Sequence, residues 1–457
     1  MTMTLSALLA ASIFFSLIIF MASSMSRGPG DIVMLFALTF GLFYGLRPLL
    51  FVLGLDVPFP ENLFWSAESA DLLTKTLVGL SLFLVLVMVG VMAVARSGVR
   101  GWGPFFVQKR PSLHRLLRVT LILTALATLL SAFLLAFYGG IGPLITAAKV
   151  EKSLAGLYVL RTIPAIGAIS AIATVLESRS HPSARRTALI GSICALANAS
   201  YVFLWGSRSL FVVVGAILVL GLGRQTMSTG ANPRTVWRLV MAVLLVVAVA
   251  GGLRIARDNL TRGEVQEVFG DATISRQVSL GTNSIQFDAA MLSFRDWPKE
   301  YGYRGGEDFA NGALGVVPRF IWSGKPTAIS PGKWFRQVYQ PLKVNGWPMG
   351  ASALWYLNFG WGGLVIGGLI SGLAIGLISN AQRRAPPGGW NLAVAVVVAV
   401  YVLGLGWDSE TPPRLVIWLL PLWLISRYIS NEPSSDQSNT IADRQDVVSG
   451  PIGDGPR

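Results

Sequence analysis

Long apolar runs alternate with short polar connections along most of the chain. Runs at 4–24, 32–54, 74–95, 117–138, 156–176, 187–205, 209–223, 238–255, 353–380, 390–407 and 413–428 approach the roughly 20 residues that a helix needs to cross a bilayer. The pattern predicts an all-α polytopic membrane protein with about eleven transmembrane helices. Residues 1–24 lack a basic leading region and a small-residue cleavage site, so the first run reads as a retained helix. One stretch departs from the pattern. Residues 256–352 carry no spanning run and are too long for a plain connection. Within them SIQFDAAMLSFRD (284–296) has helical spacing. Further on, Ser330 and Pro331 read as the N-cap and first-turn proline of a short helix, GKWFRQVY, with Trp334, Phe335 and Val338 on its apolar side. The expected organisation is N-terminal transmembrane helices over 1–255, one large loop over 256–352 between the eighth and ninth helices, C-terminal helices over 353–428, and a polar, disordered tail over 429–457.

The distribution of Lys and Arg orients these helices. Arg96, Arg100, Lys109, Arg110 and Arg115 share one connection. Arg179, Arg185 and Arg186 share another, Arg224, Arg234 and Arg238 a third, and Arg383 and Arg384 follow the ninth run. With about eleven crossings these connections fall on one side, which the positive-inside bias makes the cytoplasm. The connection at 55–73, with Asp56, Glu61, Glu68 and Asp71, falls on the other side. The N-terminus is then expected outside and the C-terminus inside. The large loop becomes an extracytoplasmic reentrant or interfacial cap, with Trp322 and Trp334 at the lipid boundary.

Composition narrows the chemistry. Of 457 residues, 53% are hydrophobic and 13% charged, against roughly 25% charged in a soluble domain. The lone Cys194 excludes a disulfide framework and a thiolate metal site. His114 and His181 lie in short basic connections, so neither a zinc site nor a histidine base is indicated, and no cofactor is expected. The net charge of +14 fits positive-inside anchoring and an anionic lipid substrate, not nucleic acid.

Some arginines stand outside the cytoplasmic connections. Arg47 (YGLRPLL), Arg161 (LYVLRTIP), Arg208 (WGSRS), Arg254 and Arg257 (GLRIARDN) all fall near the outer ends of helices. The large loop adds Arg262, Arg276, Arg319 and Lys325. A charge at the centre of a bilayer costs about 2.5–3.5 kcal/mol on insertion scales. Snorkelling to headgroups explains any one of these residues. Several converging from separate helices point to a phosphate-bearing ligand, because the guanidinium fork matches phosphate geometry. The carboxylates on that side are Asp258, Glu264, Glu267, Asp271 and Asp288, with Asp408 and Glu410 in the last outer turn. Asp288 stands out because it interrupts an apolar stretch (IQFDAAML). It reads as a general base or as a counter-ion for the arginines. Gly368, Gly372 and Gly376 recur every fourth residue, the signature of close helix packing.

Five pieces occur in a telling order: GSR at 206–208, FD at 287–288, YGYRGGEDF at 301–309, VPRFIWSGKP at 317–326 and YLNFGWGG at 356–363. From about Arg208 to Gly376, with a further trace at GLRPL (45–49), the chain resembles the O-antigen polymerase (Wzy-type) and oligosaccharide repeat-unit polymerase family. The resemblance implies a GT-C-like glycosyltransferase of the bacterial cytoplasmic membrane. Such an enzyme transfers a glycan from one polyprenyl pyrophosphate to the terminal sugar of another lipid-linked repeat unit, on the outer face. It implies polyprenyl-pyrophosphate-linked oligosaccharide and membrane lipids as partners, with a chain-length regulator and a flippase as protein partners. Joined to the charge pattern, it makes Asp288, Arg208 and Arg276 the candidate catalytic residues. Arg47, Arg161, Arg254, Arg257, Arg319, Lys325, Trp322 and Tyr356 become candidate substrate contacts. Family members often carry a glutamate before the tyrosine of YLNFG, where this chain has Leu354 and Trp355. An O-antigen ligase and a lipid-linked glycan flippase are the alternatives. A ligase is associated with an extracytoplasmic histidine, whereas both histidines here are expected inside. A transporter usually carries internal repeats or mid-membrane charges.

Topology reporters test the orientation. Fusions after residues 60 and 300 are expected to read extracytoplasmic, and fusions after 105 and 182 cytoplasmic. A cytoplasmic signal at 300 overturns the assignment of the large loop.

Overall fold

A computed structural model describes residues 4–28, 30–52, 69–147, 160, 162–179, 182–204, 213–221, 285–317, 322–325, 329–342 and 346–430. Among the described residues there is no strand, and six helices are long and apolar enough to cross a membrane: α1 (Leu5–Ser24), α2 (Ile32–Leu50), α3 (Ala70–Arg96), α4 (Leu113–Tyr138), α6 (Arg185–Leu204) and α10 (Ala351–Arg384). Two shorter apolar helices, α5 (Thr162–Ser178) and α11 (Gly389–Leu403), pack among them, and helical turns over 411–430 form α12. The protein is therefore a multi-pass helical membrane protein. The helices anticipated inside the large loop are present as α7 (Ile285–Asp296) and α9 (Pro331–Tyr339), and α8 (Glu307–Gly315) lies between them. The expected run at 238–255 and the basic connection at 224–238 lie outside the described residues, as does the tail over 431–457. Of the run at 209–223, residues 213–221 are described and helical.

The centre of the bundle is the pair α3 and α10. Small residues let the two backbones touch. A Cβ on Gly90 would stand 2.7 Å from the Leu373 nitrogen, and one on Gly368 would stand 2.7 Å from the Phe83 carbonyl oxygen. On Gly372 a Cβ would overlap the backbone of Val87. The four-residue glycine spacing thus marks the seam. Helices α4, α5 and α6 are joined differently, by a polar ladder inside apolar surroundings. Thr120 and Thr174 hydroxyls lie 3.0 Å apart, Asn198 Nδ2 donates to Thr124 Oγ1 at 2.7 Å, and Thr128 Oγ1 donates to Tyr201 Oη at 3.0 Å. Such interhelical bonds contribute about 0.6 kcal/mol each on average in a membrane bundle.

α10 differs from the single span expected at 353–380. At Gly360 the backbone takes φ 62° and ψ −145°, outside the helical region. In a straight helix Trp355 and Gly367 would lie three turns apart, roughly 18 Å. Here the Trp355 ring abuts Gly367, and its carbonyl oxygen abuts Gly363. Residues 351–359 therefore fold back along the helix that follows. Only glycine takes such a positive φ without strain, and a Cβ there would also stand 2.6 Å from Tyr303 Oη.

The connections sort to two ends. At one, the 97–112 connection tucks Phe105, Phe106 and Val107 into the bundle. Trp102 N–H donates to the Leu377 carbonyl at 3.0 Å, and the Asn391 amide brackets Val107 at 2.9 and 3.0 Å. Arg383 pairs with Asp31 at 3.0 Å, and the Glu177 carboxylate accepts from Trp390 N–H at 3.2 Å. The basic residues Arg96, Arg100, Lys109, Arg110, Arg115, Arg383 and Arg384 flank this end. The opposite end carries α7, α8, α9 and the folded-back start of α10, where Ser352 Oγ donates to Tyr44 Oη at 2.8 Å.

Two glycine substitutions on one helix separate seam from surface. Gly372→Ala is expected to lower the stability of detergent-purified protein by about 1–3 kcal/mol, the usual range for overpacking. Gly362 faces open space, with nothing within 4 Å of where a Cβ would stand. Gly362→Ala is expected to leave the thermal midpoint unchanged or slightly raised. Equal effects of the two substitutions in a thermal-unfolding assay would contradict the seam.

Candidate functional site

The site grows from one buried charge. In α2 the turns over Gly41–Gly45 widen to a π-helix, a distortion often found at functional positions. Two residues later comes Arg47, with 0% of its surface exposed. An isolated guanidinium at such a place is costly. Its counter-ion is Asp288, from the first turn of α7, 241 residues away in sequence. Nε reaches Oδ1 at 3.3 Å and Nη2 reaches Oδ2 at 2.9 Å, so both carboxylate oxygens meet the fork. Phe287, Ala289, Ala290, Leu292 and Phe294 are all buried around the pair. Burial pushes the Asp288 carboxyl up and Arg47 pulls it back, leaving it at about 6.

The loop after α7 supports the folded-back part of α10. A helix end leaves its last carbonyls without intrahelical partners. Arg304 N–H donates to the Leu357 carbonyl and Gly305 N–H to the Asn358 carbonyl, each at 3.1 Å. Asn358 answers through its side chain. Its Oδ1 accepts from Gly306 N–H at 3.1 Å, and its Nδ2 donates to Asp308 Oδ2 at 2.9 Å. Asp308 also takes Arg304 Nε at 2.8 Å, and the Arg304 guanidinium lies 3.9 Å from the centre of the Trp334 ring. The stretches YGYRGGEDF and YLNFGWGG are thus two halves of one cap. Beneath α9, Trp297, Phe335, Tyr339 and Trp347 form an aromatic layer with ring centres 5.4 to 6.0 Å apart.

Between α7, α9, the 346–349 segment and the turn at 408–410 lies a cavity of about 420 Å³, within the range of ligand pockets. Gln286, Lys333 and Trp347 line it on one side, and Asp408, Ser409, Glu410 and Arg414 on the other. Arg414 pairs with Asp408 at 3.2 Å and also with Glu410. Burial raises the Asp408 carboxyl, and Arg414 opposes the shift. Two of the lining residues each carry a polar atom that is itself closed off from solvent and unsatisfied. The Ser409 hydroxyl, on a residue 2% exposed, and the Gln286 side-chain oxygen are both buried without a hydrogen-bond partner. A buried polar group left so costs about 1–3 kcal/mol.

Of the residues anticipated from the sequence, the structure brings Arg47 and Asp288 together. Tyr356 lies in the core, 1% exposed, and donates to the Trp297 carbonyl at 3.1 Å. Trp322 is exposed, and Lys325 Nζ donates to the Val317 carbonyl at 3.0 Å. Arg161, Arg208, Arg254, Arg257, Arg276 and Arg319 lie outside the described residues. Sequence reasoning did not single out Gln286, Lys333, Trp347 or Ser409. Gln286, Lys333 and Ser409 lie within two residues of Asp288, Pro331 and Asp408, which was their only signal, and Trp347 had none. Among the described residues no cluster of His, Cys, Asp and Glu is arranged to hold a metal ion. No family model, curated protein or solved structure matches the chain.

Breaking the buried pair has a distinct stability signature. Arg47→Ala or Asp288→Ala alone is expected to destabilise the protein by about 3–5 kcal/mol, since each strands a buried charge. The double variant Arg47→Met with Asp288→Leu is expected to recover most of that loss. Additive losses in a double-mutant cycle would show that the two side chains are not coupled.

Proposed function

We propose that the protein is a membrane glycosyltransferase that polymerises polyprenyl-pyrophosphate-linked oligosaccharide repeat units on the outer face of a bacterial cytoplasmic membrane. The observation that carries this reading is the cavity at the end opposite the basic connections, next to the Arg47–Asp288 pair and walled by segments beside the motifs that resemble the polymerase family. The positive-inside bias assigns the basic end to the cytoplasm and hence the cavity to the outside. The reading asks that end to supply cations for a diphosphate, carboxylates near a sugar hydroxyl, and aromatic faces for glycan rings. In this reading Asp288 acts through Arg47, holding the guanidinium at the outer end of α2. Asp408 and Glu410, which line the cavity itself, are the carboxylates closest to an acceptor hydroxyl. Arg208, Arg254, Arg276 and Arg319 are proposed to hold the donor or acceptor diphosphate.

Purified protein incubated with synthetic lipid-linked repeat unit tests the activity. A ladder of longer lipid-linked products is the expected result. Transfer to a different acceptor alone would make the protein a ligase, and unchanged substrate in every condition would leave a carrier. Alanine at each of the four arginines is expected to slow elongation roughly ten- to hundred-fold, the equivalent of one charge-assisted bond. Lysine is expected to rescue poorly, because it lacks the planar fork. Normal elongation by all four well-expressed alanine variants would reduce the cluster to headgroup anchoring.

A further inference from the structure

At the basic end, the start of α4 meets the end of α12 through two arginines. Arg115 Nη1 donates to the Tyr428 carbonyl at 3.1 Å, and its guanidinium lies 5.6 Å from the centre of the Tyr428 ring. Arg118 Nη1 donates to the Tyr428 hydroxyl at 3.3 Å, and Nη2 lies 3.1 Å from His114 Nε2. A guanidinium only donates, so the ring nitrogen is the acceptor. Two cations of one helix thus converge on one residue of another. Among the described residues neither has a carboxylate partner. Asp31 and Glu177, the carboxylates described at this end, are engaged with Arg383 and with Trp390 N–H. Snorkelling accounts for cations that reach the headgroups singly, not for two that share a tyrosine. Each guanidinium carries five N–H donors, and these bonds use two on Arg118 and one on Arg115. Both forks keep donors, and Arg118 is exposed. Two such forks in one place match a phosphate. Toward the membrane centre the surface beside them turns apolar. Leu121 and Ile122 are exposed one turn on from Arg118, and Leu424 and Leu420 are exposed on the Tyr428 face of α12. A soluble phosphate gains nothing from that surface, whereas an acyl chain does.

We infer that Arg115, Arg118 and Tyr428 form a site for a phospholipid with an anionic headgroup, its phosphate on the two guanidinium forks and an acyl chain along the exposed leucines of α4 and α12. The positive-inside bias puts this lipid in the cytoplasmic leaflet. The site lies at the end opposite the cavity and stands or falls apart from the glycan-transfer reading. Full-length protein in a neutral maltoside detergent is incubated with equal amounts of phosphatidylglycerol and phosphatidylcholine of the same acyl chains, and the lipids retained are counted by native mass spectrometry. Wild type is expected to retain phosphatidylglycerol roughly twenty-fold over phosphatidylcholine, the product of about five-fold for each basic residue near an anionic headgroup. Arg115→Ala and Arg118→Ala are each expected to lower that ratio roughly five-fold, and the double variant to abolish it while phosphatidylcholine is retained as before. Arg115→Gln with Arg118→Gln keeps donors for Tyr428 and removes only charge, and is expected to give the same loss, so the outcome does not hang on how alanine is tolerated. Arg100→Ala with Arg384→Ala removes as many charges from the same end and is expected to leave the ratio unchanged. Excess glycerol 3-phosphate, which has no acyl chain, is expected not to displace the lipid. Equal retention of the two lipids by wild type overturns the site. So does a wild-type ratio in both double variants of Arg115 and Arg118. An equal loss in the Arg100–Arg384 variant would reduce the effect to the net charge of that end, and displacement by glycerol 3-phosphate would make the cluster a site for soluble anions; either result also overturns it.

Discussion

A helix that ends inside an apolar bundle must find hydrogen-bond donors for its last carbonyls, because no water is there to supply them. In this protein that demand falls on Leu357 and Asn358, where residues 351–359 stop and the chain turns back at Gly360. The amides of Arg304 and Gly305 meet it. Much of the outer half follows. The loop that supplies those amides is the one that sets α8 in place and lays the Arg304 guanidinium over Trp334 of α9. The folded-back segment in turn brings Ser352 to Tyr44, one turn from Arg47.

Both ends bury an ion pair, Arg383 with Asp31 at the basic end, and they differ in what accompanies it. At the basic end, neutral amide side chains do most of the stitching, with Asn391 holding Val107 and Gln382 holding the backbone around Gly30 and Ile32. At the other end full charges are buried in pairs, Arg47 with Asp288 and Arg414 with Asp408. Buried ion pairs are weak contributors to stability compared with well-packed apolar residues.

The helical architecture was legible because its signal is local. Apolar runs of spanning length, a four-residue glycine spacing and the Ser330-Pro331 cap each lie within a few turns of the element they specify. Arg47 was visible as a charge out of place, and Asp288 as a carboxylate in an apolar stretch. Their partnership was not, because it spans 241 residues and neither neighbourhood encodes the other. The reversal at Gly360 was hidden for a related reason. In FGWGG it is one glycine among several, and only its positive φ and its contact with Tyr303 distinguish it. Gln286 and Ser409 were invisible as cavity residues because the cavity joins stretches more than 100 residues apart, which no local pattern displays.

The walls of the cavity come from four separated stretches, around Gln286, Lys333, Trp347 and Ser409. During synthesis these emerge in turn, and the turn at 408–410 comes late. Until that turn has formed, the Asp408–Arg414 pair does not exist and the cavity is open on one side. A chain that lacked this turn would lack one wall of the chamber. Formation of the last helical turns is then the step that completes the chamber.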